Sequence, residues 1–340
     1  MAAQNNAPLP DGLEVAGYRI VKKIASGGFS IVYLAYDAEG NAVAIKEYLP
    51  SSLALRQPGE LVPVISPPNL PVFRLGLKCF FEEGRALASI AHPNVVRVVN
   101  FFRAHETVYM VMAYESGRSL QDHILRQQKL RKADQARQGA AVRIRPLLPE
   151  QFIRNVFAQV INGLREVHAT QLLHLDLKPA NIYLRNDGTP ILLDFGAARQ
   201  ALKTDLPKLY PMYTPGFAPP ELYAKVQTLG PWSDIYSIGG ALYASMAGVP
   251  PQPADQRKGN DLMPQQLDRL AGIYSSELLA LVRWCLQADP LARPQSLFAV
   301  QKALADMPQL PAPQKQAPSL AGRFKGALDT LFGRKTGTQK

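Results

Sequence analysis

Cysteine is scarce in this chain of 340 residues, and the two that occur, Cys79 and Cys285, lie far apart in the sequence. A disulfide framework is therefore not expected, and a reducing compartment such as the cytoplasm fits better. No apolar run approaches the ~20 residues that a transmembrane helix needs. Residues 1–14 also lack the basic and apolar blocks of a secretory signal. The sequence thus predicts a globular protein of the cytoplasm.

Acidic residues are outnumbered, and the formal net charge of +11 comes from two segments. Residues 126–145 contain seven basic residues against one acidic residue, and residues 309–340 contain six against one. The main body of the chain is formally neutral, so it does not predict a broad basic surface. No aromatic residues interleave the first basic segment, and no zinc-finger pattern occurs, so no nucleic-acid partner is expected.

The first third of the chain carries short β-branched and aromatic runs separated by turn residues. This pattern predicts an antiparallel sheet of five strands at residues 18–25, 31–37, 42–47, 95–102 and 108–113. Apolar residues at helical spacing predict one helix over residues 73–90. We expect a flexible leader over residues 1–13 and an ordered loop or insertion from Pro50 to Pro71.

From Leu120 onward the pattern becomes mainly helical. Apolar residues at helical spacing predict helices over residues 152–167, 232–247, 275–286 and 296–305. Between them, two short apolar runs at 182–184 and 191–193 flank an Asn-Asp-Gly turn, which predicts a β-hairpin. The basic segment 126–145 has few apolar residues and is expected to be a mobile insertion. The fold class is therefore α+β, with a small antiparallel lobe and a larger helical lobe.

The turn between the first two strands carries Ser26, Gly27 and Gly28. Glycines at a turn let backbone N–H groups approach phosphates without interference from Cβ, although Gly-Gly hairpins are also common without any ligand. Lys46 follows three apolar residues on a strand, and an inward-pointing lysine needs a carboxylate partner. Glu83 on the following helix is the natural candidate, and a solvated helix face is the equal alternative for it.

A denser group of polar residues surrounds the predicted hairpin. Asn181 precedes the first strand and Asp194 follows the second, so both side chains can face one cation. Oxygen ligands of this kind suit Mg²⁺, which binds through a few protein groups and through phosphates. Asp176 and Lys178 lie two residues apart on the preceding loop. A carboxylate that orients a hydroxyl and an ammonium that holds a phosphate are what phosphoryl transfer requires.

At these motifs the chain resembles the eukaryotic-like (Hanks-type) serine/threonine protein kinases, in motif order as well as in residues. The resemblance runs from about Tyr18 to Ala305. It implies a bilobal protein kinase fold, with a kinase domain over residues 14–308 divided into a small lobe (14–112) and a large lobe (115–308). It implies ATP and Mg²⁺ as cofactors and protein serine or threonine hydroxyls as substrates.

The resemblance also implies roles for individual residues. Asp176 would be the catalytic base, Lys178 would neutralise the γ-phosphate, and Asn181 and Asp194 would hold the metal. The implied nucleotide pocket combines the glycine turn, the lysine with its partner Glu83, the gatekeeper Met112 and a hinge that receives adenine. Its residues are Ile24, Ser26, Gly27, Gly28, Val32, Ala44, Lys46, Glu83, Met112, Ala113, Tyr114 and Glu115.

Later motifs favour a protein substrate over a small molecule. The segment Ala218-Pro219-Pro220-Glu221 resembles the end of a kinase activation segment, and Arg293 resembles the partner of Glu221. Asp234 resembles the aspartate that braces the catalytic loop. Lys178 and Thr214 resemble the serine/threonine branch rather than the tyrosine branch, and the motif variants resemble bacterial members of the family.

Three departures from the family pattern stand out. Ala25 and Ser30 replace the two outer glycines of the phosphate-binding turn. Leu175 replaces the arginine that normally precedes the catalytic aspartate, so a phosphorylated activation segment would lack its main charge partner. The segments 50–71 and 126–145 exceed what the family's core requires. The candidate phosphosites of the activation segment are Thr204, Tyr210, Tyr213 and Thr214.

Two rival functions remain open at the level of the sequence. A pseudokinase scaffold would keep the fold and bind nucleotide without transfer, although Lys46, Asp176, Asn181 and Asp194 are all present. A kinase fold acting on a small molecule is the second rival. Beyond the domain, residues 320–332 predict an amphipathic helix in a basic tail. Such a helix packs on its own domain, or it makes weak contact with an anionic membrane or a partner groove. Contact with the membrane would place the protein at the inner membrane face.

Overall fold

The computed structural model describes residues 6–138, 145–195, 213–223 and 228–309. Its small lobe is built from eight strands and one long helix: β1 (Glu14–Val15), β2 (Tyr18–Ser26), β3 (Ser30–Tyr36), β4 (Ala42–Tyr48), β5 (Ala54–Leu55), β6 (Val64–Ile65), α1 (Leu70–Ala88), β7 (Val98–Ala104) and β8 (Thr107–Ala113). Six strands form an antiparallel sheet in the order β1-β2-β3-β4-β8-β7. The five predicted strands are all in this sheet.

Two short elements of the small lobe were not predicted. The two-residue strand β1 adds a sixth strand at the edge of the sheet, where it pairs with the start of β2. The segment expected to be an ordered loop contains the hairpin β5–β6 and the beginning of α1. Strands of two residues leave almost no periodic pattern in a sequence, so only tertiary pairing reveals them.

Both faces of the central strand β4 are covered. Tyr48 on one face packs against Phe73 and Phe80 of α1, with ring centroids 5.3 and 5.7 Å apart. The opposite face is covered by the leader, for which flexibility was expected. That expectation is wrong for residues 6–13, because Leu9 is only 1% exposed and its N–H donates to the Tyr33 hydroxyl.

The large lobe follows the hinge and is mainly helical. Its elements are β9 (Gly117–Ser119), α2 (Leu120–Gln138), α3 (Glu150–Ala169), β10 (Ile182–Arg185), β11 (Pro190–Leu192), α4 (Pro220–Tyr223), α5 (Pro231–Ala247), α6 (Met263–Asp268), α7 (Ser276–Cys285) and α8 (Leu297–Ala305). The predicted hairpin is confirmed as β10–β11, and β9 extends it to three strands. Among the described residues, no helix is long and apolar enough to cross a membrane.

The expectation of a mobile insertion over residues 126–145 is wrong for residues 126–138, which belong to helix α2; residues 139–144 lie outside the described residues. The helix starts with the Ser119 hydroxyl accepting from the N–H of Asp122, and Ile124 is buried in its second turn. Farther along, the Gln128 side chain donates to the Gly248 carbonyl at the end of α5. The remaining positions are rich in Arg, Lys, Gln and Ala, which are good helix formers even without an apolar stripe.

Candidate active site

The loop before the hairpin is organised by Asp234, which lies fully buried on α5. Its carboxylate accepts hydrogen bonds from the backbone N–H groups of His174 (2.8 Å) and Leu175 (2.7 Å) and lies 2.8 Å from Nε2 of His168. Burial opposes its ionisation, but the hydrogen bonds from His168 and the backbone hold the pKa of Asp234 below its ordinary value. The predicted bracing role of Asp234 is confirmed, and the contribution of His168 was missed.

The backbone of this loop reverses at Leu175, which has a φ of 62°. A left-handed conformation is unfavourable for leucine by about 1–2 kcal/mol, so the surrounding contacts must hold it. The bond from its N–H to Asp234 is one such contact. The next residue, Asp176, lies only 6% exposed. Leu175 therefore occupies a position that the fold constrains strongly.

His174 lies buried beneath the loop that carries Asp176. Its ring stacks on Phe195 at 4.4 Å, and Nε2 lies 3.1 Å from the Leu193 carbonyl. Burial lowers the pKa of His174, so its imidazole is neutral and donates from Nε2 to that carbonyl. Nδ1 then accepts from the N–H of Asp176 at 3.4 Å. This neutral histidine ties the loop to the strand that leads to Asp194.

The Asp176 carboxylate is the centre of a polar network. Lys178 donates to both of its oxygens, at 3.1 and 2.9 Å, and Thr214 donates to Oδ1 at 2.9 Å. Lys178 also donates to the Thr214 hydroxyl at 2.8 Å. Asn181 donates from Nδ2 to Oδ2 of Asp176 at 3.1 Å and to its backbone carbonyl at 2.8 Å. The structure thus brings three of the predicted residues together and adds Thr214 as a direct contact.

The two predicted metal ligands lie beside this network. Nδ2 of Asn181 also approaches the backbone carbonyl of Asp194 at 3.3 Å, so its Oδ1 is the atom that can ligate a cation. The Asp194 side chain is 39% exposed toward the cleft. One carboxylate and one amide oxygen fit Mg²⁺, which takes few protein ligands and completes its shell with phosphate and water. The donor set therefore suits a magnesium–nucleotide complex.

Lys46 and Glu83 line one small cleft together with aromatic side chains; its lining is Phe29, Ser30, Lys46, Tyr48, Phe80, Glu83 and Phe195. Nζ of Lys46 lies 3.1 Å from Oδ1 of Asp194 and 5.6 Å from the ring centroid of Phe80. Glu83 is 2% exposed. The structure thus places a cation and the candidate metal ligand within contact distance, and the ion pair between Lys46 and Glu83 stays a prediction.

The predicted pocket residues of the sheet lie on one face. Val32 pairs with Lys46 across β3–β4, and Ala44 pairs with Met112 across β4–β8. Directly paired residues of antiparallel strands point to the same side of the sheet, so these four side chains share one surface. Val32 and Ala44 are partly exposed there, whereas Met112 is 8% exposed. This surface is the roof that the resemblance assigns to adenine.

The turn between β2 and β3 has room for a ligand. A Cβ added to Gly27 or Gly28 would meet no atom of the described residues within 4 Å, and neither glycine has a positive φ. Packing against the described residues and backbone conformation therefore do not explain these glycines, and close approach of a phosphate stays the prediction for them. The predicted neighbours Ile24 and Ser26 are exposed on the same hairpin.

The hinge is tied to the large lobe by a residue that no motif indicated. Arg185 at the end of β10 donates to both oxygens of Glu115, at 2.7 and 2.8 Å, and to the Pro93 carbonyl at 2.8 Å. The other hinge positions are Ala113, whose N–H donates to the Arg97 carbonyl, and Tyr114, which is 39% exposed. The negative charge of Glu115 in the hinge is therefore balanced by the guanidinium of Arg185.

The predicted partnership of Glu221 and Arg293 is confirmed. Arg293 donates to both carboxylate oxygens, at 2.7 and 3.0 Å, and both side chains have no exposed surface. Ser233 donates to the same carboxylate at 2.8 Å. This ion pair joins α4 to the segment between α7 and α8. The candidate phosphosites Thr204 and Tyr210 lie outside the described residues.

Comparison with known proteins gives one consistent family. The model for the protein kinase domain matches residues 18–305. The mouse serine/threonine-protein kinase Nek3 is 32% identical over 217 residues, which is 63% of this chain and 39% of Nek3. The serine/threonine-protein kinase pkn2 of Myxococcus xanthus is 30% identical over 314 residues, which is 87% of this chain and 33% of pkn2. The chain spans less than half the length of these relatives.

A solved structure gives the same answer for the fold. The structure described as the apo form of PpkA-294 superposes with a TM-score of 0.71 and is 32% identical in sequence. The match covers 87% of this chain and 99% of that one. The predicted two-lobed α+β kinase fold is thereby confirmed.

Proposed function

This chain belongs to the protein kinase family, and from that premise we propose that it transfers the γ-phosphoryl group of ATP to serine or threonine hydroxyls of other proteins. The observation that carries the proposal is the network around Asp176, in which Lys178, Thr214 and Asn181 all donate to one buried residue. A packing role alone does not require four polar side chains in this arrangement. Lys46 and Asp194 stand beside it at the mouth of the nucleotide cleft.

Each residue then has a defined task. The substrate hydroxyl is oriented by Asp176 and gives its proton to that carboxylate as its oxygen bonds to the γ-phosphorus. The bond from the γ-phosphorus to the bridging oxygen breaks, and ADP leaves with the electron pair. Lys178 donates to the transferred phosphoryl oxygens, and Lys46 holds the remaining phosphates. Mg²⁺ held by Asn181 and Asp194, when bound with ATP, neutralises charge on the phosphates.

The test is a transfer assay with the purified chain, radiolabelled ATP, Mg²⁺ and a general protein substrate, followed by phosphoamino-acid analysis. We expect phosphoserine or phosphothreonine, and no label when the divalent cation is chelated. ATP binding without label on any protein would favour a pseudokinase scaffold. Label that appears only on small molecules would favour the other rival function.

We further propose that activity does not require phosphorylation of the activation segment. Leu175 stands where an arginine would otherwise hold a phosphorylated side chain, and Asp234 fixes the loop without it. Complete dephosphorylation is expected to leave the initial rate on an exogenous peptide within about twofold. The reason is that Leu175 carries no positive charge with which a phosphate on the activation segment could interact. A tenfold loss that returns on rephosphorylation of Thr214 or Thr204 would contradict this.

We also propose that the tail makes weak contact with anionic membranes, which would place the protein at the cytoplasmic side of a membrane. Residues 310–340 lie outside the described residues, so the support is their sequence: an apolar stripe at helical spacing and six basic residues against one acidic residue in 309–340. Each basic residue near an anionic surface contributes ~1 kcal/mol. We expect salt-sensitive sedimentation with acidic liposomes that is lost on deleting residues 319–340. An intact chain that stays in solution with those liposomes would overturn the idea.

A further inference from the structure

A buried ion pair lies behind the active site, on the face of β4 opposite to Lys46. Arg56 donates to both oxygens of Glu47, at 2.5 and 2.7 Å, and neither side chain has exposed surface. Tyr33 and Tyr109 donate their hydroxyls to the same carboxylate, at 2.7 and 2.8 Å. Burial raises the pKa of Tyr33 well above its ordinary value, so its hydroxyl keeps the proton that it donates. This cluster fixes Arg56 rigidly against the sheet.

The leader is bound to that fixed residue. Nε of Arg56 donates to the Ala7 carbonyl at 2.8 Å, and the N–H of Ala7 donates to the Arg56 carbonyl at 3.1 Å. The Asn6 side chain accepts from the N–H of Arg56 at 2.7 Å and donates to the Leu49 carbonyl at 3.3 Å. One amide thus connects the two ends of the segment 49–56, which we call the bridge segment.

The first residues of the bridge segment form hydrogen bonds with the glycine turn between β2 and β3. The N–H of Leu49 donates to the Phe29 carbonyl at 2.9 Å. The N–H of Ser51 donates to the Gly28 carbonyl at 2.9 Å, and its hydroxyl approaches the same oxygen at 3.3 Å. Two carbonyl groups of the turn, those of Gly28 and Phe29, are therefore hydrogen-bonded to the bridge segment.

We propose that Asn6 is a positioning residue for the nucleotide phosphates, acting through the bridge segment on the glycine turn. Ala25 and Ser30 stand at two positions of this turn where the kinase sequence pattern has glycine, so the hold of the turn on phosphate depends more on support from outside the turn. A turn that is already fixed loses less conformational freedom when phosphates bind. The identity of the nucleotide as ATP rests on the proposed function, whereas the support of the turn does not.

Asn6 is a better probe of this support than Arg56. Removing Arg56 would leave the Glu47 charge buried and unpaired, which destabilises the whole lobe. Asn6 is half-buried and carries no charge, so its loss removes the two hydrogen bonds and little else. Asp11 lies on the same leader and is exposed, so Asp11→Asn is a matched control.

The test compares Asn6→Ala with Asp11→Asn in the full chain. The loss of two hydrogen bonds is expected to raise the KM for ATP about five- to tenfold, with the KM for a peptide substrate and kcat within about twofold. Calorimetric titration with a non-hydrolysable ATP analogue and Mg²⁺ is expected to show the same weakening. Asn6→Asp keeps the acceptor for the N–H of Arg56 and is expected to recover part of the affinity.

The outcomes separate this inference from the proposed function. Unchanged analogue binding by Asn6→Ala would overturn the inference, even if the wild-type chain transfers phosphoryl groups normally. A lower kcat with a lower melting temperature and an unchanged KM for ATP would also overturn it, because that pattern indicates a purely structural role. Weaker analogue binding in a chain that transfers nothing would support the inference and refute the proposed function.

Discussion

Replacing Asp194 by asparagine is expected to slow phosphoryl transfer by about 10³-fold or more, because the site loses its carboxylate ligand for Mg²⁺. Lys46→Met is expected to have an effect of similar size, since Nζ lies 3.1 Å from the Asp194 carboxylate and is proposed to hold the phosphates. The measurement is the initial rate on a peptide at saturating ATP, together with the free energy of unfolding. Neither residue is part of the apolar core, so both variants should remain folded.

Asp187→Asn is a matched control for this change. It removes the same charge from the turn of the same hairpin, where the exposed Asp187 accepts from the N–H of Thr189 at 2.8 Å. Its rate should equal that of the wild type within about twofold. Turnover by Asp194→Asn at a rate close to the wild type would refute the assignment of the metal site.

Replacing Arg293 by alanine is expected to lower the free energy of unfolding by ~3–5 kcal/mol, because it leaves the Glu221 carboxylate buried without its partner. The guanidinium also donates to the carbonyls of Gln287, Ala288 and Trp232, so those acceptors lose their donor as well. Urea unfolding followed by tryptophan fluorescence measures the change. The transfer rate should fall only in proportion to the unfolded fraction.

Two comparisons make this result interpretable. Arg283→Ala breaks an ion pair with Asp268 whose side chains are 37% and 69% exposed, and it should cost less than ~1 kcal/mol. The double variant Arg293→Met with Glu221→Leu removes both charges and should recover part of the stability, since an apolar pair needs no desolvation of charge. If Arg293→Ala and Arg283→Ala have equal effects, the buried pair does not stabilise the fold.

Periodic patterns and turn residues in the sequence were enough to predict most of the elements. Strand β3 alternates in burial with period two, and α3 repeats apolar residues at helical spacing, so each leaves a local pattern. The hairpin β10–β11 was predicted from its Asn-Asp-Gly turn. The motif cluster around Asp176 was also predictable, because its chemistry requires particular residue types within about twenty positions.

The sequence by itself therefore determined the fold class, the order of the elements and the group of residues from which the site is built. Only the tertiary structure decided that residues 6–13 pack against the sheet, that Arg56 and Glu47 form a buried pair, and that Arg185 holds the hinge. These contacts join residues far apart in sequence, such as Asn6 and Arg56, which are 50 positions apart. A polar residue has the same local pattern whether it faces solvent or a partner, so its burial depends on which distant segment the fold brings to it.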